Sequence, residues 1–215
     1  DDTYFTVSTE PSNGTASIDA ASGEWSYTPT ANFNGSDSFT VTVTDDDGHE
    51  ETQTITLSID AANDAPVASG SPSLASVAED SGNPSGDTVS ALFSSSFSDI
   101  DGDTLKAIAI TANAADSLTE GSWQYSTNSG TSWSSISTSG LGDTAALYLS
   151  STTQLRFLPV GDFNGTPGAI TAHFIGSDYT PNPSVGDELD LSTNGGSTSF
   201  SAESISLITS IDAVN

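Results

Sequence analysis

The sequence predicts an all-β chain of tandem antiparallel β-sandwiches, the second larger than the first and carrying long loops. Three observations predict it. Apolar and polar residues alternate over short runs such as Val41-Thr-Val43 and Ile55-Thr-Leu-Ser-Ile59, the pattern of half-buried strands. Turn-forming dipeptides, among them Asn13-Gly14, Ser22-Gly23, Asn34-Gly35 and Asp47-Gly48, separate the runs. Residues 1–64 show no helical periodicity.

Within the first domain, residues 1–64, strands are expected at 4–8, 15–19, 25–28, 37–43 and 53–60. A sandwich of this kind has about seven strands in about 100 residues, so this domain is expected to be truncated at its start or completed by a distant part of a parent chain. The linker Asp60-Ala-Ala-Asn63-Asp64-Ala-Pro66 follows, and its proline keeps the preceding residue extended. In the second domain, residues 65–215, strands are expected at 105–110, 121–126, 131–137, 145–149, 154–159, 169–175 and 204–211. Two polar stretches, 78–103 and 177–201, read as long irregular loops, which a sandwich seldom carries unless they bind something or are mobile.

Two internal echoes tie the domains together. Pro29-Thr-Ala-Asn32-Phe33-Asn34-Gly35 recurs as Pro159-Val-Gly-Asp162-Phe163-Asn164-Gly165, and Ser58-Ile-Asp-Ala-Ala-Asn63 as Ser210-Ile-Asp-Ala-Val-Asn215. Tandem architecture follows, with further domains of the same protein expected on either side.

Charge narrows the function. Twenty-nine Asp and Glu face two basic residues, Lys106 and Arg156, for a formal charge of −27. Two cations cannot neutralise a phosphate track, so nucleic acid is not the expected partner, nor is an anionic membrane surface. No run is apolar and long enough to insert in a bilayer. The chain opens on Asp1 with no signal-like segment, which suggests a piece of a longer secreted protein. With no cysteine to staple it, bound metal is the expected alternative, because ligands present only in the fold turn binding energy into folding energy.

The acids are grouped. Asp99-Ile-Asp101-Gly102-Asp103 alternates oxygen ligands around a bending glycine, as a hard, flexible cation such as Ca²⁺ requires. Neither the bidentate Glu nor the flanking helices of an EF-hand accompany it. Asp45, Asp47, Asp60, Asn63, Asp64, Glu79 and Asp80 form a second tier, with Asp60 to Asp64 placed to converge on a cation at the domain junction. The stretch 177–190, with Asp178, Tyr179, Asp187 and Asp190, is the candidate ligand loop, and equally a connection holding another structural calcium. Trp25, Trp123 and Trp133 permit sugar stacking or sheet packing. His49 and His173 form no zinc motif, and no Gly-x-Ser-x-Gly elbow exists, so no enzyme is expected.

Residues 1–64 resemble the cadherin-like, immunoglobulin-type repeats of bacterial adhesins through Gly23-Glu-Trp-Ser-Tyr-Thr-Pro29, Asn32-Phe-Asn-Gly35, Phe39-Thr-Val-Thr-Val43, the Asp45–Gly48 turn and Asn63-Asp-Ala-Pro66. Residues 66–215 are similar to the peptide-binding domain of RTX adhesins through Val77-Ala-Glu-Asp80, Gly121-Ser-Trp-Gln-Tyr-Ser126, Leu155-Arg-Phe-Leu-Pro159 and Ser192-Thr-Asn-Gly-Gly196. The resemblance implies an extracellular or cell-surface module that uses Ca²⁺ to bind a short peptide. The free C-terminus of a protein on a host or partner cell would reach the metal, in attachment or biofilm formation. A calcium-stiffened structural extender and a carbohydrate-binding module are the alternatives.

Overall fold

The computed structural model describes residues 3–215, and the chain forms a first unit ending at Ala62 and a second unit, Asn63–Asn215. The first unit is β1 (Tyr4–Thr9), β2 (Gly14–Ile18), β3 (Trp25–Pro29), β4 (Gly35–Thr44) and β5 (Glu50–Ile59). They form a three-stranded antiparallel sheet in the order β1-β4-β5 and a β2-β3 hairpin. Alternation on β4 buries Phe39 and Val41, and the Trp25 ring meets Phe39 edge-on at 5.6 Å.

One acid that the sequence reading passed over organises this unit. Asp37 opens the buried face of β4 and is 7% exposed. Its carboxylate accepts the backbone N–H groups of Ser12 (3.1 Å), Asn13 (2.8 Å) and Ser38 (2.9 Å) and the Tyr27 hydroxyl (2.9 Å), tying the turn before β2 and strand β3 to β4. Burial raises the Asp37 pKa, but the hydrogen bonds from Asn13, Ser38, Tyr27 and Ser12 outweigh it and hold the group below its ordinary value. Burial and the same carboxylate push the Tyr27 hydroxyl up.

The second unit contains β6 (Val67–Ala68), β7 (Val77–Ala78), β8 (Asp87–Thr88), the helical turn α1 (Val89–Phe93) and β9 (Phe97–Ser98). There follow β10 (Leu105–Asn113), β11 (Gly121–Ser126), β12 (Ser134–Ser135), β13 (Ala146–Ser150), β14 (Gln154–Pro159) and β15 (Ile170–Gly176). The chain ends with β16 (Glu188–Leu189), β17 (Ile205–Leu207) and β18 (Ile211–Asp212). A five-stranded sheet, β16-β13-β10-β15-β17, packs over a four-stranded sheet, β12-β11-β14-β8. Between them lies the main core, with Ile108, Ile110, Trp123, Leu155, Phe157 and Phe174 fully buried. Trp123 meets Phe157 edge-on at 5.3 Å, and its ring N–H donates to Gly168 O at 2.8 Å.

Both stretches expected to be irregular have structure. Within 78–103, the apolar residues Val89, Leu92 and Phe93 form one face of α1, capped by the Thr88 hydroxyl on the Ala91 N–H at 3.2 Å. The stretch 177–201 lies on the outer face of the large sheet, where Ala107, Ala109, Ala146, Tyr148, Ile175 and Leu191 form a second core with Tyr179, Val185 and Phe200 against it. Small alanines at 107, 109 and 146 let that covering segment approach closely. The strand expected at 131–137 shrinks to β12, because the Asn128 side chain holds the preceding residues in a turn, accepting the Ser132 N–H at 2.9 Å. The strand expected at 204–211 divides where the chain changes partner, from β15 for β17 to β7 for β18.

The echoes have matching conformations. Asn32 and Asp162 both adopt φ 61°, Gly35 and Gly165 adopt φ 114° and 127°, and the N–H groups of Phe33 and Phe163 return to Thr30 O and Val160 O. In each unit the glycine pairs with the isoleucine of the second echo: Gly35 with Ile59, and Gly165 with Ile211. The two repeated motifs are thus the two sides of one recurring corner.

Two substitutions test these contacts. A depressed carboxylate contributes stability that is present above its unfolded pKa and lost as pH falls through its folded value. Asp37→Asn is therefore expected to lower the first unit's melting temperature at pH 7, with the difference from the parent shrinking as pH falls below the ordinary carboxylate range. Thermal melts of the two proteins across pH 2–7 measure this. Trp123→Ala should cost about 3–5 kcal/mol of the second unit's stability in denaturant titration, from the cavity and the unpaired Gly168 carbonyl.

Candidate metal centre

The antiparallel register of β10 and β15 pairs Leu105 with Gly176, so the residues just beyond each strand meet at one end of the sheet. Asp103 and Asp178 are those residues. Ser177 links the two segments: its hydroxyl donates to Asp103 Oδ1 and accepts the Thr104 N–H at 3.1 Å. Gly176 leaves room there: a Cβ on it would lie 2.4 Å from Asp178 Oδ1, so the Asp178 carboxylate would have to move. A second antiparallel pair, β6 with β9, brings the linker alongside, and the Asp64 N–H donates to Asp101 Oδ2 at 2.6 Å. Asp99 Oδ1 accepts the Asp101 N–H at 2.8 Å, and Gly102 takes φ 86° to complete the bend.

Two oxygens in this region are buried and accept no hydrogen bond from the described residues: Asp99 Oδ2 and Asp178 Oδ1. The other oxygen of Asp178 accepts the Ser199 hydroxyl. Among the described residues neither Lys106 nor Arg156 serves them. The Lys106 ammonium bonds the carbonyls of Tyr179 and Pro181, and Arg156 bonds Gln124, Asn83 and Pro84. A buried carboxylate oxygen without a partner is costly. A cation at either oxygen would relieve that cost, and a carboxylate oxygen is a donor that Ca²⁺ accepts. Among the described residues no three His, Asp or Glu side chains are already gathered as a ligand set. The remaining ligands would be carbonyls, hydroxyls and water, all of which calcium accepts.

The other expected site residues are engaged differently. Asp45 Oδ1 accepts the N–H groups of Asp47 (3.0 Å) and His49 (2.8 Å), and Asp45 Oδ2 lies 3.2 Å from the His49 ring, so Asp45 closes the β4–β5 hairpin while Asp47 is exposed. Asp60 is exposed after β5. Asn63 is half-buried, and its amide donates to the carbonyls of Asp64, Ser197 and Thr198. Glu79 accepts from Asn164 Nδ2 (2.9 Å) and the Val214 N–H (2.7 Å), while Asp80 Oδ1 accepts the Asp162 N–H (3.0 Å). These two acids tie the recurring corner of the second unit together.

In the candidate ligand loop each side chain has its own partners. Tyr179 lies half-buried against Phe200 at 5.1 Å, with the Lys106 ammonium 5.4 Å from its ring. Asp187 Oδ2 accepts the Ser184 N–H at 2.8 Å. Asp190 accepts the Ser192 N–H at 2.8 Å, and that bond, with the Ser192 hydroxyl, lowers its pKa against a smaller effect of burial. Of the four, Asp178 is the one that meets the Asp103 segment at the end of the sheet.

The tryptophans divide as well. Trp123 is fully buried and presents no face to a sugar. Trp25 is 43% exposed but packs on Phe39. Trp133 stacks on Arg156, whose guanidinium carbon is 4.1 Å from the ring centre. Arg156 is 6% exposed and burial lowers its pKa; its Nη1 bonds Asn83 Oδ1 at 2.7 Å and Pro84 O at 3.2 Å. Sequence reading missed this clamp because Asn83 is far away in the chain. Arg156→Leu should loosen residues 83–86, seen as faster amide exchange there with the main core still protected.

Asp178→Asn tests the metal centre. In chelator the variant is expected to melt no lower than the parent, because a buried charge has been removed. In excess Ca²⁺ the parent should gain about 2.7 kcal/mol at one hundred times its dissociation constant, and the variant much less. Calorimetry with and without calcium measures both.

Residues 1–58 match the family model of a bacterial Ig domain. No curated protein matches the chain. A bacterial Ig-like domain fits an extracellular surface or adhesin-type protein. No helix among the described residues is long and apolar enough to cross a membrane.

Proposed function

We propose that the second unit is a calcium-dependent peptide-binding module of a secreted bacterial adhesin, engaging the C-terminus of a partner protein and acting in attachment, with no catalytic role. The observation that carries this reading is the pair of buried, unpartnered oxygens Asp99 Oδ2 and Asp178 Oδ1. A bound Ca²⁺ supplies positive charge on a chain of formal charge −27 and coordination positions that a terminal carboxylate can complete. Hydrogen bonds that fix the acids support this reading: Ser177 and Ser199 donate to Asp103 and Asp178, and the Asp64 N–H donates to Asp101. RTX-type secretion belongs to the same proposal and rests on the resemblance of residues 66–215.

Peptides with free and with amidated C-termini, screened with Ca²⁺ and with chelator, test it. Binding that needs both the free terminus and calcium is the expected result. Silence throughout, together with a large fall in melting temperature on chelation, would assign the protein to the structural extenders instead.

A further inference from the structure

The edge of β17 and its continuation is covered over only part of its length. The Ile208 N–H donates to Pro72 O at 3.4 Å, its carbonyl accepts the Leu74 N–H at 2.9 Å, and Ser210 O accepts the Val77 N–H at 3.0 Å. Backbone groups at 208 and 210 therefore face the 72–77 segment. Strand alternation gives Ser206 the same direction, whereas Ile205 and Leu207 face β15 across from Ala172 and Ile170. On its outward side Ser206 has no backbone partner among the described residues.

The gap has a structural cause. Before it reaches Pro72, the covering segment belongs to another sheet: β6 pairs with β9, and the Ser69 N–H bonds Ser96 O at 2.9 Å. The chain crosses over at Gly70, whose φ is 91°. Between the diverging segments lies a hollow of 440 Å³ bordered by Ala68, Gly70, Glu203, Ser206 and Ile208. Through Ala68 and Glu203 it continues into a second hollow of 270 Å³ that reaches Asp64 and Gly196. Val67 and Ile208 bring apolar side chains to this groove, 54% and 42% exposed, and its only charged residues are Asp64 and Glu203.

We propose that an extended, basic peptide segment adds as a strand to the open edge at Ser206. Its main chain would bond the Ser206 N–H and carbonyl, its apolar side chains would rest on Val67 and Ile208, and a Lys or Arg would face Glu203. An open strand edge recognises peptide backbone, alternate side chains supply selectivity, and acid walls select a cationic occupant. The inference rests on the peptide-binding reading and names the place and chemistry of the occupant.

The probe is a fluorescein-labelled octapeptide of alternating Val and Lys, used in Ca²⁺ and read by anisotropy. Wild-type protein is expected to bind it. Ser206→Pro removes an N–H that the β15 pairing does not use, so the variant should keep its melting temperature and lose about tenfold in affinity. The same octapeptide N-methylated at alternate amides should bind wild-type protein weakly in at least one of the two methylation registers, a test independent of any variant's folding. Glu203→Gln should weaken binding and flatten its salt dependence. Failure of the unmodified octapeptide to bind, or equal binding by Ser206→Pro and by both N-methylated peptides, overturns the groove. A calcium- and terminus-dependent binder from the peptide screen that is indifferent to Ser206→Pro overturns the groove while leaving the peptide-binding role standing.

Discussion

The pairing of β10 with β15 is the constraint on which the second unit depends. These strands occupy adjacent central positions in the five-stranded sheet, and their side chains feed two cores at once. Ile108, Ile110 and Phe174 point to the small sheet, while Ala107, Ala109 and Ile175 point to the covering segment. Slipping the register by one residue would exchange the two sets, placing bulky side chains where only alanine fits. The register is therefore strongly specified, and with it the meeting of Asp103 and Asp178 at the sheet's end. Asp103 and Asp178 sit on this rigid pairing.

Desolvation distinguishes the acids of this chain. Acids elsewhere in the chain have found donors: Asp37 among four, Asp45 in its hairpin, Glu79 and Asp80 in the recurring corner. Such carboxylates have hydrogen-bond donors within the fold. Asp99 and Asp178 each keep one oxygen buried and unpaired. Neither Lys106 nor Arg156 relieves this, since both are committed to carbonyl and amide acceptors.

Local pattern carried much of the architecture. Strands 121–126 and 154–159 are as the alternation predicts, and the turn dipeptides mark the hairpins of the first unit. The covering of the large sheet was less legible, although Ala107-Ile-Ala-Ile110 is apolar on both faces, the mark of a strand buried from both sides. Asp37 and Arg156 escaped notice for a shared reason. Apart from the adjacent Ser38, the partners of Asp37 lie 10 or more residues away, and the hydrogen-bond partners of Arg156 lie 32 or more away, beyond any local motif.

The sequence by itself determined an all-β chain, the repeated corner motif and the acid-glycine bend at 99–103, because each is encoded by neighbours a few positions apart. Only the tertiary structure decided which acids are satisfied and which are left without donors, and which strand edge stays open. Those outcomes follow from long-range register and from where the chain changes sheets: Gly176 beneath Asp178, Asp64 against Asp101, and Gly70 leading away from Ser206. No local pattern encodes them, since burial of an oxygen or exposure of an edge depends on every segment packed around it.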